Sequence, residues 1–128
     1  MSDQQIKIFL VDDDKFLLDM YSLKFKKSNC DVEVAFSGDE ALKKMRGGYA
    51  PDIILLDIIM PAMDGIEILK TIREEKLLPQ ATIVMLTNQA DDQPKVEVYH
   101  IDGFIIKAMN IPSEVVSKVL DIYNKKHT

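Results

Sequence analysis

The stretch that decides the fold is residues 6–14, IKIFLVDDD, an apolar run closed by three consecutive aspartates. A short, nearly continuous run of Ile, Phe, Leu and Val is what a strand covered on both faces of a parallel sheet requires, because neither face meets water. Asp12 and Asp13 then fall at the carboxyl end of that strand. A second run, Ile53–Leu56, ends the same way in Asp57. In an open α/β sheet the carboxyl ends of the strands border the crevice where ligands bind, so acids distant in sequence can gather there. Such a pocket suits a divalent cation, which takes hard oxygen ligands.

Outward from these two runs, apolar segments alternate with amphipathic ones. The strands are expected at Ile6–Val11, Val32–Ala35, Ile53–Leu56, Thr82–Leu86 and Gly103–Ile106. Between them, Phe16, Met20 and Leu23 share one helical face, as do Ala41 and Met45, and then Ile66, Leu69 and Ile72. A last helix starts near Pro112, which suits a first turn, and carries Val115, Val116, Val119, Leu120 and Tyr123 at helical spacing. Parallel strands need crossover connections, and these are right-handed, so the alternation predicts an α/β fold: a doubly wound, five-stranded parallel sheet with helices on both faces. Residues 90–101 fit less well. They hold Pro94 and the alternating stretch Lys95–Val96–Glu97–Val98–Tyr99, which matches helix and strand templates alike; Asp92 as a cap with Pro94 behind it gives a helix that is short or mobile.

A chain of 128 residues makes one domain, 1–128, with a core of about 6–123. With 47% hydrophobic and 29% charged residues it has ordinary globular composition, and no apolar run approaches the ~20 residues that span a bilayer. The net charge of −5 lacks the basic footprint that nucleic acid or anionic lipid would attract, so the expectation is no direct nucleic acid and no membrane. Cys30 has no partner for an internal disulfide, and the opening MSDQQ carries no targeting core, which points to a cytoplasmic protein. Cys30 reads as a small apolar residue and the methionines as core filler; His100 and His127 form no cluster.

The ordered set of Asp12–Asp13 after the first strand, Asp57 in DIIMPAMDG, Thr87 ending the fourth and Lys107 ending the fifth resembles the response-regulator receiver domains of two-component signalling, over about Ile6–Tyr123. The resemblance implies the flavodoxin-like strand order 2-1-3-4-5. It also implies a function: a phosphoacceptor of a phosphorelay, not an enzyme in the ordinary sense, that takes a phosphoryl group from a kinase phosphohistidine onto Asp57 and assists its own phosphorylation and dephosphorylation. By the family pattern Mg²⁺ is the cofactor, held by Asp13, Asp57 and the backbone carbonyl of Ile59, with Asp12 acting through metal-bound water. Lys107 is a compact charge able to pair with Asp57 and then with the phosphoryl group. Thr87 would donate its hydroxyl to that group, and Phe104 would answer as the switch on the strand-five side. The partners implied are a sensor histidine kinase or phosphotransfer protein and an unknown downstream protein, with the chain a monomer or weak homodimer.

Plainer readings stand beside these. An acidic cluster after a strand is often a solvated loop, Asp14 reads as a helix cap, Asp64–Gly65 is a turn signal in any fold, and Thr at a strand end follows from β-propensity alone. Phe104 is equally well plain packing. Five places stand out against the family pattern. Ala108 stands where receivers commonly have a cis proline after the lysine, so the loop either turns trans or stores strain. Asn88 stands where a small residue is usual, and can crowd the phosphoryl pocket or hydrogen-bond to it. Ile59 and Gln89 occupy positions that tune water attack on the acyl phosphate, and an apolar Ile59 offers nothing to orient that water. Tyr99–Gly103 replaces the usual small residues before strand five. Two other functions remain open: a pseudo-receiver that signals without phosphorylation, and a haloacid-dehalogenase-like phosphatase with Asp12 as nucleophile.

Overall fold

A computed structural model describes residues 5–128. The first four residues, including most of the polar opening MSDQQ, lie outside the described part.

Five parallel strands, β1 (Ile6–Val11), β2 (Cys30–Ala35), β3 (Ile53–Leu56), β4 (Thr82–Thr87) and β5 (Gly103–Ile106), form one sheet in the order β2-β1-β3-β4-β5. Side chains alternate across a strand, so each run feeds two cores. Phe9, Val11, Ile54 and Leu56 face one side, under α2 (Gly38–Arg46), α3 (Gly65–Glu74) and α4 (Gln93–Glu97). Ile8, Leu10, Ile53 and Leu55 face the other, under α1 (Lys15–Lys27) and α5 (Pro112–Lys126). All eight are at most 3% exposed. Each such side chain contributes roughly 1.5–3 kcal/mol by leaving water, which is why the central strands tolerate no polar residue until their ends.

The doubly wound reading and its strand order therefore hold. Strand β2 starts two residues earlier than expected because Cys30 and Asp31 pair with Ile6 and Lys7, and β4 runs on to Thr87 because Thr87 pairs with Ile106. Cys30 is buried and free, as a small core residue.

Local chemistry sets the helix starts. Asp14 caps α1 by accepting from the Leu17 N–H at 3.2 Å, Ser37 caps α2 through Glu40 N–H at 3.1 Å, and Asp64 caps α3 through Glu67 N–H at 2.9 Å. Pro112 opens α5 in its first turn.

Two expectations about packing are corrected. The face of α1 that covers the sheet is Leu18, Tyr21 and Phe25, whereas Phe16 is 75% and Leu23 55% exposed. The Asp14 cap fixes the helix phase, and α1 carries apolar residues on more than one side, so spacing alone admits either stripe. Of the methionines, Met45, Met60 and Met85 fill the core, but Met109 is 77% exposed. The fourth helix is short, as its proline foretold: a 3-10 turn at Ala90–Asp92 followed by the five residues of α4, with Val96 alone fully buried. Its far end is tied to α3, because Arg73 donates to the carbonyls of Tyr99 at 2.8 Å and His100 at 3.0 Å.

Candidate functional site

Register brings the acids together. Val11 pairs with Leu56, so the next residues, Asp12 and Asp57, leave adjacent strands side by side, and the ladder continues through Asp57 N–H to the Val11 carbonyl at 3.0 Å. Asp12, Asp13 and Asp57 can each offer one carboxylate oxygen, and these three lie within 4.8 Å of one another. Asp12 and Asp57 are buried and Asp13 is exposed. Pairing of Thr87 with Ile106 places Lys107 at the end of β5, from which its Nζ reaches Oδ2 of Asp12 at 2.7 Å and Oδ2 of Asp57 at 3.1 Å. These four residues line a crevice of about 340 Å³ together with Asp14, Leu17, Ile59, Asn88 and Gln89.

Each acid is held. Asp12 uses its other oxygen to accept the Asp14 N–H at 3.0 Å. The Ile59 N–H approaches Oδ1 of Asp57 at 3.4 Å. Gly65 lets α3 start against the strand end: its N–H donates to the Ile58 carbonyl at 2.8 Å, and a Cβ there would collide with the Asp57 carbonyl oxygen. The Asp64–Gly65 pair is thus more than a turn signal.

Burial raises the pKa of Asp57, Lys107 opposes that rise, and the negative charge of Asp12 adds to it; hydrogen bonds from Lys107 and Thr87 oppose it again, and the net shift is upward. For Lys107 burial acts downward, but its hydrogen bond to Asp12 and the charges of Asp57 and Asp12 outweigh it, so its pKa is raised. The lysine is a firm ammonium, and the pocket carries more negative than positive charge. An all-carboxylate donor set with surplus negative charge fits a hard cation such as Mg²⁺.

Thr87 is fully buried, its hydroxyl oxygen accepting the Gln89 N–H at 3.2 Å while lying near enough to Asp57 to favour the carboxylate. Ile59 is 55% exposed at the crevice mouth. Phe104 is not in the crevice: half-buried, it lines a separate groove with Met109 and Ile122. The Lys107–Ala108 peptide is trans and opens a 3-10 turn at Lys107–Met109. Asn88 lines the crevice, and its Oδ1 accepts the Ala108 N–H at 2.8 Å. Sequence reasoning missed Gly65 as a support of the site and missed Tyr21, whose phenol is buried close enough to feel Lys107, Asp12 and Asp57.

Comparison with known proteins bears on the family and the fold. The family model for the response regulator receiver domain matches residues 8–119. The chain is 36% identical over 118 residues to the transcriptional regulatory protein ResD of Bacillus subtilis, covering 90% of this chain and 47% of ResD. It is 35% identical over 121 residues to the alkaline phosphatase synthesis transcriptional regulatory protein PhoP of the same organism, covering 93% and 49%. Among solved structures, the chemotaxis response regulator CheY4 of Vibrio cholerae superposes with a TM-score of 0.83 at 26% identity, over 93% of this chain and 99% of that one. The chain belongs to the response-regulator receiver family, and so to two-component signalling. Membership removes the dehalogenase reading.

The chain spans about half the length of the curated relatives it matches. Those relatives correct one expectation, that of no direct nucleic acid. They are transcriptional regulatory proteins, and the matched protein of Mycobacterium tuberculosis, 32% identical over 93% of this chain and 51% of its own length, is the DNA-binding response regulator MtrA. The net charge of −5 is that of these 128 residues, and a relative twice as long as the stretch it matches need not share it. Among the described residues no helix is long and apolar enough to cross a membrane.

Proposed function

We propose that this chain is a phosphoacceptor switch whose nucleophile is Asp57, and that a sensor histidine kinase or phosphotransfer protein is its donor. The observation that carries the reading is the convergence of Asp12, Asp13 and Asp57 within 4.8 Å under the bridging ammonium of Lys107. An Asp57 carboxylate oxygen attacks the phosphorus of a phosphohistidine, the P–N bond breaks as a P–O bond forms, and the imidazole leaves and takes a proton. Asp13, Asp57 and the Ile59 carbonyl would hold Mg²⁺, with Asp12 acting through its water. When bound, the cation offsets the charge gathered on the transferring oxygens.

The rest falls to the chain's own side chains. Lys107 trades its contact with the Asp57 carboxylate for one with the phosphoryl oxygens, keeping Asp12 as its anchor. The Thr87 hydroxyl donates to the new group, which draws on the loop after β4 and biases the packing of Phe104 at β5. The relatives' names make transcription the output we assign to this switch, in the cytoplasm.

Incubation of the purified chain with acetyl phosphate and Mg²⁺, followed by mass spectrometry, tests the reading. One phosphoryl adduct on Asp57, lost in Asp57→Asn, is expected. No adduct would make the chain a pseudo-receiver, and an adduct on Asp12 would overturn the assignment of the nucleophile.

A further inference from the structure

Two residues that depart from the family pattern, Asn88 and Ala108, turn out to be bonded to each other. The Ala108 N–H donates to Oδ1 of Asn88 at 2.8 Å. A backbone N–H can only donate, so the carboxamide must present its oxygen, and the bond exists only because residue 108 has an N–H at all, which a proline would lack.

The bond joins the segments that follow β4 and β5. Asn88 follows Thr87 at the end of β4, and Ala108 follows Lys107 at the end of β5. Asn110 also ties down the turn that carries Lys107: its Nδ2 donates to the Ile106 carbonyl at 2.9 Å and its N–H to the Lys107 carbonyl at 3.3 Å. Asn88 adds a bond from the β4 side, on the peptide that directly follows the lysine and beyond the last paired residue, Ile106. Lysine is a flexible stem with a point charge at its end, so where its ammonium rests depends on where its backbone is held.

We propose that Asn88 is a positioning residue for phosphoryl transfer: its carboxamide latches the loop after β4 to the Lys107–Ala108 peptide and thereby keeps the Lys107 ammonium over Asp12 and Asp57. This rests on the phosphoacceptor reading for its consequence, but the latch itself is a contact between the chain's own residues. It assigns the large residue at 88 a task other than blocking the pocket. Removing one without the other leaves an N–H or a carboxamide oxygen to water.

The test uses the full chain, its Asn88→Ala and Lys107→Ala variants, and the double variant. By nuclear magnetic resonance, the Ala108 amide of Asn88→Ala should exchange with solvent about tenfold faster, and the Lys107 Nζ signal should shift and broaden. With acetyl phosphate and Mg²⁺, adduct formation on Asp57 should slow about three- to tenfold, the range one neutral hydrogen bond supports, while Mg²⁺ affinity stays within about twofold. In the Lys107→Ala background the same change at 88 should alter the rate by less than about twofold. An unchanged Ala108 exchange rate overturns the latch. So does an undiminished phosphorylation rate, or an equal loss with and without Lys107, which would place Asn88 at the phosphoryl group itself. If the unaltered chain takes up no phosphoryl group, the phosphoacceptor reading fails, and the exchange rate and the Lys107 signal still decide the latch.

Discussion

Lys107 rests closer to Asp12 than to Asp57: its Nζ lies 2.7 Å from Oδ2 of the first and 3.1 Å from Oδ2 of the second. The lysine therefore has an anchor that is not the phosphoacceptor, and Asp12 restrains it while its charge also pushes Asp57 toward protonation.

Substituting Asp12→Asn separates these two effects. It removes one negative neighbour from Asp57 and frees Lys107 to pair with Asp57 alone, both of which favour the Asp57 carboxylate. The Asp57 pKa is expected to fall, followed through its carboxyl carbon resonance, while Mg²⁺ binds more weakly for want of a carboxylate. A rise in the Asp57 pKa would contradict the charge balance drawn for the pocket.

Stability should carry the signature of both raised pKa values. Asp57 titrates above its ordinary 3.8 in the folded chain, chiefly through burial, so over that window the folded state holds the extra proton and stability falls as pH rises. Lys107 titrates above its ordinary 10.5 despite burial, because of its bond to Asp12 and its two acidic neighbours. Its contribution is complete below 10.5 and lost as pH climbs through the raised folded value. Subtracting denaturation curves of Asp57→Asn from those of the unaltered chain should isolate a decline just above pH 3.8, and subtracting Lys107→Met a decline above 10.5. Flat differences across both windows would remove the electrostatic account.

The phosphoryl lifetime should be long. Ile59 stands at the crevice mouth, 55% exposed, beside Asp57, and its side chain has no atom that can hold or orient an attacking water. Ile59→Asn introduces such a group and should shorten the acyl phosphate's half-life severalfold, read as phosphate release from the phosphorylated chain. An unaltered half-life would show that water reaches the phosphorus by a route that residue 59 does not border.

How much of this was legible in the sequence follows from what each feature depends on. Strands β1, β3 and β4 were visible because burial on both faces leaves a nearly continuous apolar run, and the acids that end β1 and β3 were visible with the runs. Strand β5 lies at the sheet edge and is only partly buried, but Phe104–Ile106 still reads as an apolar run that ends in Lys107. The first two residues of β2 were not, since Cys30 and Asp31 join the sheet by pairing with β1 rather than by hydrophobicity. The covering face of α1 was misread because the helix phase is set by the Asp14 cap, which distinguishes Leu18, Tyr21 and Phe25 from the equally periodic Phe16, Met20 and Leu23. The Asn88–Ala108 bond links two loops whose proximity only the fold creates. Net charge misled about nucleic acid because relatives named as DNA-binding are about twice as long as the stretch that matches this chain, and the charge of these residues says nothing of the rest of such a relative.

The last prediction concerns Gly65, whose role is steric. A Cβ at this position would run into the Asp57 carbonyl oxygen and come within 2.9 Å of the Ile58 Cα, both backbone atoms that cannot swing aside as a flexible side chain would. Gly65→Ala must therefore displace either the start of α3 or the end of β3. Overpacking of this kind costs about 1–3 kcal/mol. Because the displaced backbone belongs to Asp57 and its neighbour, the loss should show at the site as well as in the fold: weaker Mg²⁺ binding and slower phosphorylation, beside a lower denaturation midpoint. Gly38, whose Cβ would meet the flexible Met63 side chain and Ile68 Cδ1, supplies the control. Its alanine variant should lose stability without weakening Mg²⁺ binding. If Gly65→Ala retains full Mg²⁺ affinity at reduced stability, the close approach of α3 serves the fold alone and has no part in holding Asp57.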